Sequence, residues 1–63
     1  MSVNEKIKQY IEDHGITQKF LCDKTGISIV TMSKIINSNR KVTGEELILI
    51  AKALDVSANI FLD

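Results

Sequence analysis

Leaving aside Val30-Thr31, which lies inside a predicted helix, a β-branched apolar residue is followed directly by serine or threonine four times in this chain. The pairs are Ile16-Thr17, Ile27-Ser28, Val42-Thr43 and Val56-Ser57. A hydroxyl group in this place can accept a hydrogen bond from a free backbone N–H at the start of a helix, and the apolar neighbour can pack back on the first turn. Each pair therefore predicts a helix start, and starts this close together allow only short helices.

A further helix is predicted before the first pair. Ser2 and Glu5 have the spacing of a capping box. One apolar stripe follows along the helix: Val3, Ile7, Tyr10 and Ile11. Gly15 is expected to end this helix, because glycine readily adopts the left-handed backbone found there. Since the chain contains no proline and no strand-like alternation, the sequence predicts an all-α fold, a compact bundle of five short helices.

The length allows one small domain, predicted to span residues 1–63. Below roughly 70–80 residues a single core supplies only about 3–5 kcal/mol, so marginal stability or oligomerisation is expected. No apolar run approaches the roughly 18 residues of a membrane span, and the first residues lack the apolar region of a signal peptide. We therefore expect a cytoplasmic protein without a membrane partner.

Residue types that commonly carry catalysis are scarce. Cys22 is the only cysteine and His14 the only histidine. Cys22 occupies a small-residue position on a packed helix, where a thiol acts as a small hydrophobe. One cysteine excludes an internal disulfide and a cysteine-rich metal site, and no glycine-rich phosphate loop is present. We expect no enzymatic activity, no cofactor, no metal and no small-molecule substrate.

The charges separate along the chain although the net charge is zero. Residues 17–41 hold five basic side chains against one acidic side chain, and the remaining residues hold three basic against seven acidic. A positive segment on a negative scaffold favours an acidic partner such as nucleic acid. The alternative is an ordinary scatter of charges over a solvated surface.

Residues 18–37 predict two short helices joined by a tight turn at Gly26. Ile27, directly after the glycine, is expected to anchor the turn in the core. In the second helix Met32, Ile35 and Ile36 have the i, i+3, i+4 spacing of a buried face. The remaining side chains of this helix are predicted to point outward: Ser28, Ile29, Val30, Thr31, Ser33, Lys34 and Asn37.

In this register the chain resembles the helix-turn-helix of the phage repressor/Cro family. Counted from the first position of a twenty-residue unit, the matches stand at positions one, four, five, nine, ten, fifteen and eighteen: Gln18, Leu21, Cys22, Gly26, Ile27, Met32 and Ile35. The flanks also match, with a helix before the unit and a T-x-E-x-L helix after it. The resemblance implies a lambda-repressor-like fold, with helices two and three as the helix-turn-helix, and sequence-specific binding of double-stranded DNA.

The family pattern also implies roles for individual residues. The base-contacting side chains would be Ile29, Val30, Thr31 and Lys34. The DNA backbone would be held by Thr17, Gln18, Lys19, Ser28, Ser33, Asn37, Asn39, Arg40 and Lys41. Ile29 and Val30 depart from the pattern, since family members often carry polar readers there. These two side chains could contact thymine methyl groups, or they could form a small apolar patch for another protein.

Apolar residues in the last third exceed what one core needs. They are Ile48, Leu49, Ile60, Phe61 and Leu62. One helix-turn-helix reads few base pairs, so we expect a homodimeric repressor on a palindromic site, with Leu49, Ile60 and Phe61 at the interface. The alternative for Ile60 and Leu62 is that they close the core of a monomer. The alternative function is a protein-interaction or antitoxin-like module of the same fold.

Overall fold

The structure, a computed structural model, describes residues 1–62. The elements in this range are α1 (Val3–Asp13), α2 (Gln18–Thr25), α3 (Ile29–Ile36), α4 (Gly44–Leu54) and a final 3-10 turn (Ala58–Phe61). The all-α prediction is confirmed, and the fifth predicted helix is this single 3-10 turn. None of the described helices combines the length and the apolar character needed to cross a membrane.

The helix starts lie where the hydroxyl residues predict them. Thr17, Ser28, Thr43 and Ser57 each cap the element that follows, by accepting a hydrogen bond from a backbone N–H in its first turn. The apolar partners of these caps all pack against the core. Both predicted capping boxes are also present, one at the start of α1 and one at the start of α4. Local chemistry therefore fixes where every described helix begins.

The capping box of α1 also affects an acid group. The Ser2 N–H donates to the carboxylate of Glu5 at 2.9 Å, and the Ser2 hydroxyl accepts from the Glu5 N–H at 3.2 Å. The hydrogen bond from the Ser2 backbone holds the pKa of Glu5 below its ordinary value of 4.5. The charged carboxylate at this end also faces the positive end of the helix dipole.

Each α-helix is followed by, or ends at, a residue with left-handed backbone. Two of these residues are the glycines predicted for such positions, Gly15 with φ 64° and Gly26 with φ 77°. The other two are Ser38 with φ 61° and Asp55 with φ 58°, which the sequence does not predict. The N–H groups of Ser38 and Asn39 donate to carbonyl groups within α3, at 3.2 and 2.8 Å. These bonds close the last turn of α3 and direct the chain into the following loop.

The core is formed where the helices and the final turn pack on one another. α1 and α2 both pack on α3, α4 packs on α2 and on the final turn, and the final turn packs on α1. The buried apolar residues come from every element: Ile7, Ile11, Leu21, Met32, Ile35, Ile36, Ile50, Ala51 and Phe61. Helix α3 is thereby held by two neighbours on its apolar side, and its other side is exposed to solvent.

Phe61 is part of this core, so its predicted place at a dimer interface is wrong. Its side chain is 1% exposed, and its ring meets the ring of Tyr10 edge to face with centroids 5.7 Å apart. The neighbours Ile60 and Leu62 are instead exposed. The final turn therefore closes the core through Phe61, and not through Ile60 and Leu62 as the alternative supposed.

Candidate nucleic-acid interface

The outward face of α3 carries an unusual combination of apolar and charged side chains. Three of its eight residues are buried against the core, which turns the opposite side of the helix toward solvent. Val30, Lys34 and Asn37 follow one another on that side at i, i+4 and i+7, and all three are exposed. Ile29, in the first turn of the helix, is 55% exposed and Val30 is 62% exposed.

The short polar side chains of α3 are hydrogen-bonded within the helix. The Ser28 hydroxyl accepts from the N–H of Thr31 at 3.2 Å and donates to the Thr31 hydroxyl at 3.1 Å. At the other end the Asn37 amide donates to the Ser33 hydroxyl at 3.3 Å. The ammonium group of Lys34, in contrast, has no ion-pair or hydrogen-bond partner among residues 1–62. It is the charged group on this face that is available to a ligand.

The start of α2 offers backbone donors. The Thr17 hydroxyl accepts from the N–H of Phe20 at 3.1 Å, and the earlier amides, those of Gln18 and Lys19, have no acceptor inside a helix. Such amides, at the positive end of a helix dipole, bind phosphate well. Lys19 lies 3.2 Å from the carboxylate of Asp23, but both side chains are largely exposed. An exposed pair of this kind contributes little, so Lys19 can exchange Asp23 for a phosphate.

Arg40 makes an ion pair that the sequence does not predict. Its Nη1 lies 2.8 and 2.9 Å from the two carboxylate oxygens of Glu46. The Arg40 and Glu46 side chains are 35% and 16% exposed. This pair joins the loop after α3 to the first turn of α4. Only Nη1 is engaged among the described residues, so the other guanidinium nitrogens keep their donors.

The environment of Glu46 also sets its charge. Burial acts to raise the pKa of Glu46, but hydrogen bonds from the Thr43 N–H and from Arg40 outweigh it and lower the pKa from its ordinary value of 4.5. Because the folded pKa is the lower one, the ionised carboxylate stabilises the fold above the unfolded value. That stabilisation is lost as the pH falls through the folded pKa.

A model of the helix-turn-helix family matches residues 7–61. This chain belongs to the helix-turn-helix family. The match includes all of α2, α3 and α4 and most of α1, so it spans the whole arrangement described above. The family is one of DNA-binding regulators, of the phage repressor/Cro type that the sequence resembles. No curated protein and no solved structure matches the chain closely enough to count as similar.

In this helix-turn-helix, none of the residues predicted to contact DNA is buried. Nine are exposed, and Gln18, Thr31, Ser33 and Arg40 are half-buried. They lie at the start of α2, along α3 and in the loop that follows α3. The first two of these elements pack directly on each other. The geometry is therefore compatible with one continuous surface, and the individual DNA contacts stay a prediction.

Asn4 is a positioning residue of the helix-turn-helix that is missing from the sequence prediction. It is 8% exposed, and its amide donates to the carbonyl of Ile35 at 2.8 Å and to that of Arg40 at 2.7 Å. It thereby ties α1 both to the end of α3 and to the loop. The sequence does contain an indication of this role, because Asn4 lies on the same helical stripe as Ile7 and Ile11, at i, i+3 and i+7. A polar residue on a buried stripe needs a buried partner.

The side chains of Cys22 and His14 make contacts within the fold. Cys22 is half-buried and packs against the core, as predicted for a small hydrophobe. The His14 ring stacks on the ring of Tyr10 with centroids 4.0 Å apart, and its Nδ1 lies 2.8 Å from the Tyr10 carbonyl oxygen. Over residues 1–62, no three His, Cys, Asp or Glu side chains are grouped so that they could hold a metal ion.

Proposed function

We propose that this chain is a sequence-specific transcriptional regulator whose helix α3 enters the major groove of DNA. The observation that carries the proposal is the outward face of α3, where the unpartnered ammonium of Lys34 lies between exposed side chains. An α-helix fits the major groove, and side chains on its outward face reach the base edges. The base contacts are then made by Ile29, Val30, Thr31 and Lys34.

The phosphate contacts of this proposal lie on either side of α3. Before the helix, the amides at the start of α2 and the side chain of Lys19 would hold one phosphate. After it, exposed Asn39 and Lys41 and the uncommitted nitrogens of Arg40 would hold another. Because phosphate contacts fix the position of the protein but carry no sequence information, the two lysines Lys34 and Lys41 should behave differently when removed.

Selection from random-sequence duplexes, followed by fluorescence anisotropy, tests these roles. We expect the parent chain to enrich one motif, with log affinity falling with log salt by about 0.9 for each phosphate contacted. Lys41→Ala should weaken binding to all sequences alike and reduce that slope by about one. Lys34→Ala should change the preference among sequences. Lys52→Ala is the matched control, an exposed lysine on α4 outside the proposed interface.

The control should bind as the parent does. If Lys34→Ala and Lys41→Ala also bind every duplex as the parent does, the proposed interface is refuted. The enrichment of no motif at all would favour the alternative function, a protein-interaction or antitoxin-like module. That alternative has one observation in its favour, which is the exposure of two adjacent apolar residues on α3.

The proposal includes a homodimer that represses transcription from a palindromic site. A single helix-turn-helix reads too few base pairs to find one site in a genome. Two units related by a two-fold axis would read half-sites roughly 34–36 Å apart, one helical turn of DNA. Leu49 on α4 is 41% exposed and Ile60 in the final turn is 48% exposed, on two elements that pack against each other. Such a surface can be self-complementary.

Ile60→Glu tests the dimer. We expect the parent to sediment as a dimer at high micromolar concentration, and the variant to sediment as a monomer with unchanged helical circular dichroism. The fold should survive because Ile60 is exposed, whereas a charge at a two-fold interface faces its own copy. The variant should also lose most of its affinity for a duplex with two half-sites. A parent chain that remains monomeric even on such a duplex would contradict the dimer.

A further inference from the structure

We infer that α3 recognises thymine by its 5-methyl group, through Ile29 and Val30, and that Lys34 supplies the one charged base contact. This recognition rests on the proposed DNA binding, and it specifies which bases α3 contacts. Its starting point is the exposure of the two apolar side chains, 55% and 62%, in the first turn of the helix that faces outward.

Neither side chain can read a base edge by hydrogen bonding. Valine and isoleucine have no donor or acceptor, so a base recognised by them must offer an apolar group. In the major groove the four base pairs present only one such group, the C5 methyl of thymine. Covering that methyl with Ile29 or Val30 removes apolar surface of both partners from water, which is favourable.

The polar groups beside this pair are engaged in part. Ser28 and Thr31 flank Ile29 and Val30 in sequence, and the Ser28 hydroxyl donates to the Thr31 hydroxyl at 3.1 Å, which leaves Thr31 its own O–H donor. The next uncommitted polar group along the outward face is Lys34, one turn after Val30. A lysine ammonium donates best to O6 and N7 of guanine. We therefore expect a half-site in which thymine is read by methyl contact and guanine by Lys34.

The charge of the surrounding segment favours DNA as the occupant of this face. Here residues 17–41 hold five basic side chains against one acidic side chain, and among the described residues Lys34 and Lys41 have no ion-pair partner. A positive surface around a small apolar pair fits a polyanion that also presents methyl groups.

Deoxyuridine isolates the methyl group, because it keeps every hydrogen-bonding edge of thymine and lacks only the methyl. The probes are the duplex motif selected from random sequence and versions of it in which each thymine is replaced singly. We expect one or two positions per half-site at which the replacement weakens binding roughly fourfold, the factor that burial of one methyl group implies. Replacement at other positions should have no effect.

Substitutions then assign the effect to side chains. Val30→Ala and Ile29→Ala should weaken binding to the thymine duplex, and one of them should abolish the difference between thymine and deoxyuridine at a given position. Alanine favours helix, so both variants should keep the circular dichroism of the parent. Lys52→Ala, outside the proposed interface, is the control, and it should remain sensitive to the loss of the methyl group.

Three results would overturn the inference, and they are distinguishable. Binding of every deoxyuridine duplex as tightly as its thymine parent would refute methyl recognition and leave the proposed function intact. Methyl sensitivity that persists in both Val30→Ala and Ile29→Ala would place the reader elsewhere. The selection of no motif would refute the proposed function together with the inference.

Discussion

Phe61→Ala is expected to leave the chain largely unfolded at room temperature. Phe61 is fully buried and is among the largest side chains in the core. Truncation of a core phenylalanine to alanine costs about 3–5 kcal/mol. That is as much as the whole core of a chain this short supplies, about 3–5 kcal/mol. The helical signal in far-ultraviolet circular dichroism should therefore be mostly lost, and the urea transition should disappear.

Leu62→Ala is the matched control, because Leu62 is the next residue and is 46% exposed. It should retain the helical signal and shift the urea midpoint only slightly. Phe61→Leu, which keeps most of the buried volume, should fall between the two. If Phe61→Ala unfolds at the same urea concentration as the parent, the final turn is not part of the core.

Asn4→Ala is expected to destabilise the fold by about 2 kcal/mol, because it removes two hydrogen bonds from a buried side chain. Both bonds are short, 2.8 Å to Ile35 and 2.7 Å to Arg40. For a domain of this size such a loss lowers the melting temperature by roughly 8–16 °C. Asn4→Asp should destabilise the fold at least as much at neutral pH, since a carboxylate accepts hydrogen bonds but cannot donate them.

Gln9→Ala serves as the control for Asn4. Gln9 lies on the same helix, and its amide also makes one hydrogen bond, to Asp13 at 2.8 Å, but at an exposed position. Its removal should shift the melting temperature by a small fraction of the effect at Asn4, because water replaces the lost partner. Equal melting temperatures for Asn4→Ala and the parent would show that the buried bonds contribute nothing.

Helix starts could be predicted from the sequence because their chemistry is local. Each cap lies two or three residues from the N–H that it accepts from, so the pattern at Thr17 or Thr43 contains the whole interaction. The ends of α3 and α4 could not be predicted in the same way. Serine and aspartate adopt left-handed backbone less readily than glycine does. At Ser38 and Asp55 this conformation accompanies backbone hydrogen bonds from the next residues, Asn39 and Val56, to carbonyl groups of α3 and α4.

The errors concern interactions between distant residues. Ile60, Phe61 and Leu62 are three consecutive apolar residues, and nothing local shows which one meets Tyr10 on α1. The partners of Asn4 are 31 and 36 residues away. The ion pair of Arg40 with Glu46 likewise depends on how the loop returns to α4. The outward face of α3 could be predicted, in contrast, because its buried face has a clear helical period.

The position of Phe61 has a consequence for synthesis on the ribosome. Ile7 and Ile11 on α1 are made first, and each helix carries its own cap, so helical turns can begin to form as they emerge. The ring that completes the packing against α1 is made more than fifty residues after Ile7. Until that ring emerges, the apolar stripe of α1 lacks one of its partners, and apolar surface exposed in this way makes an incomplete chain prone to aggregation.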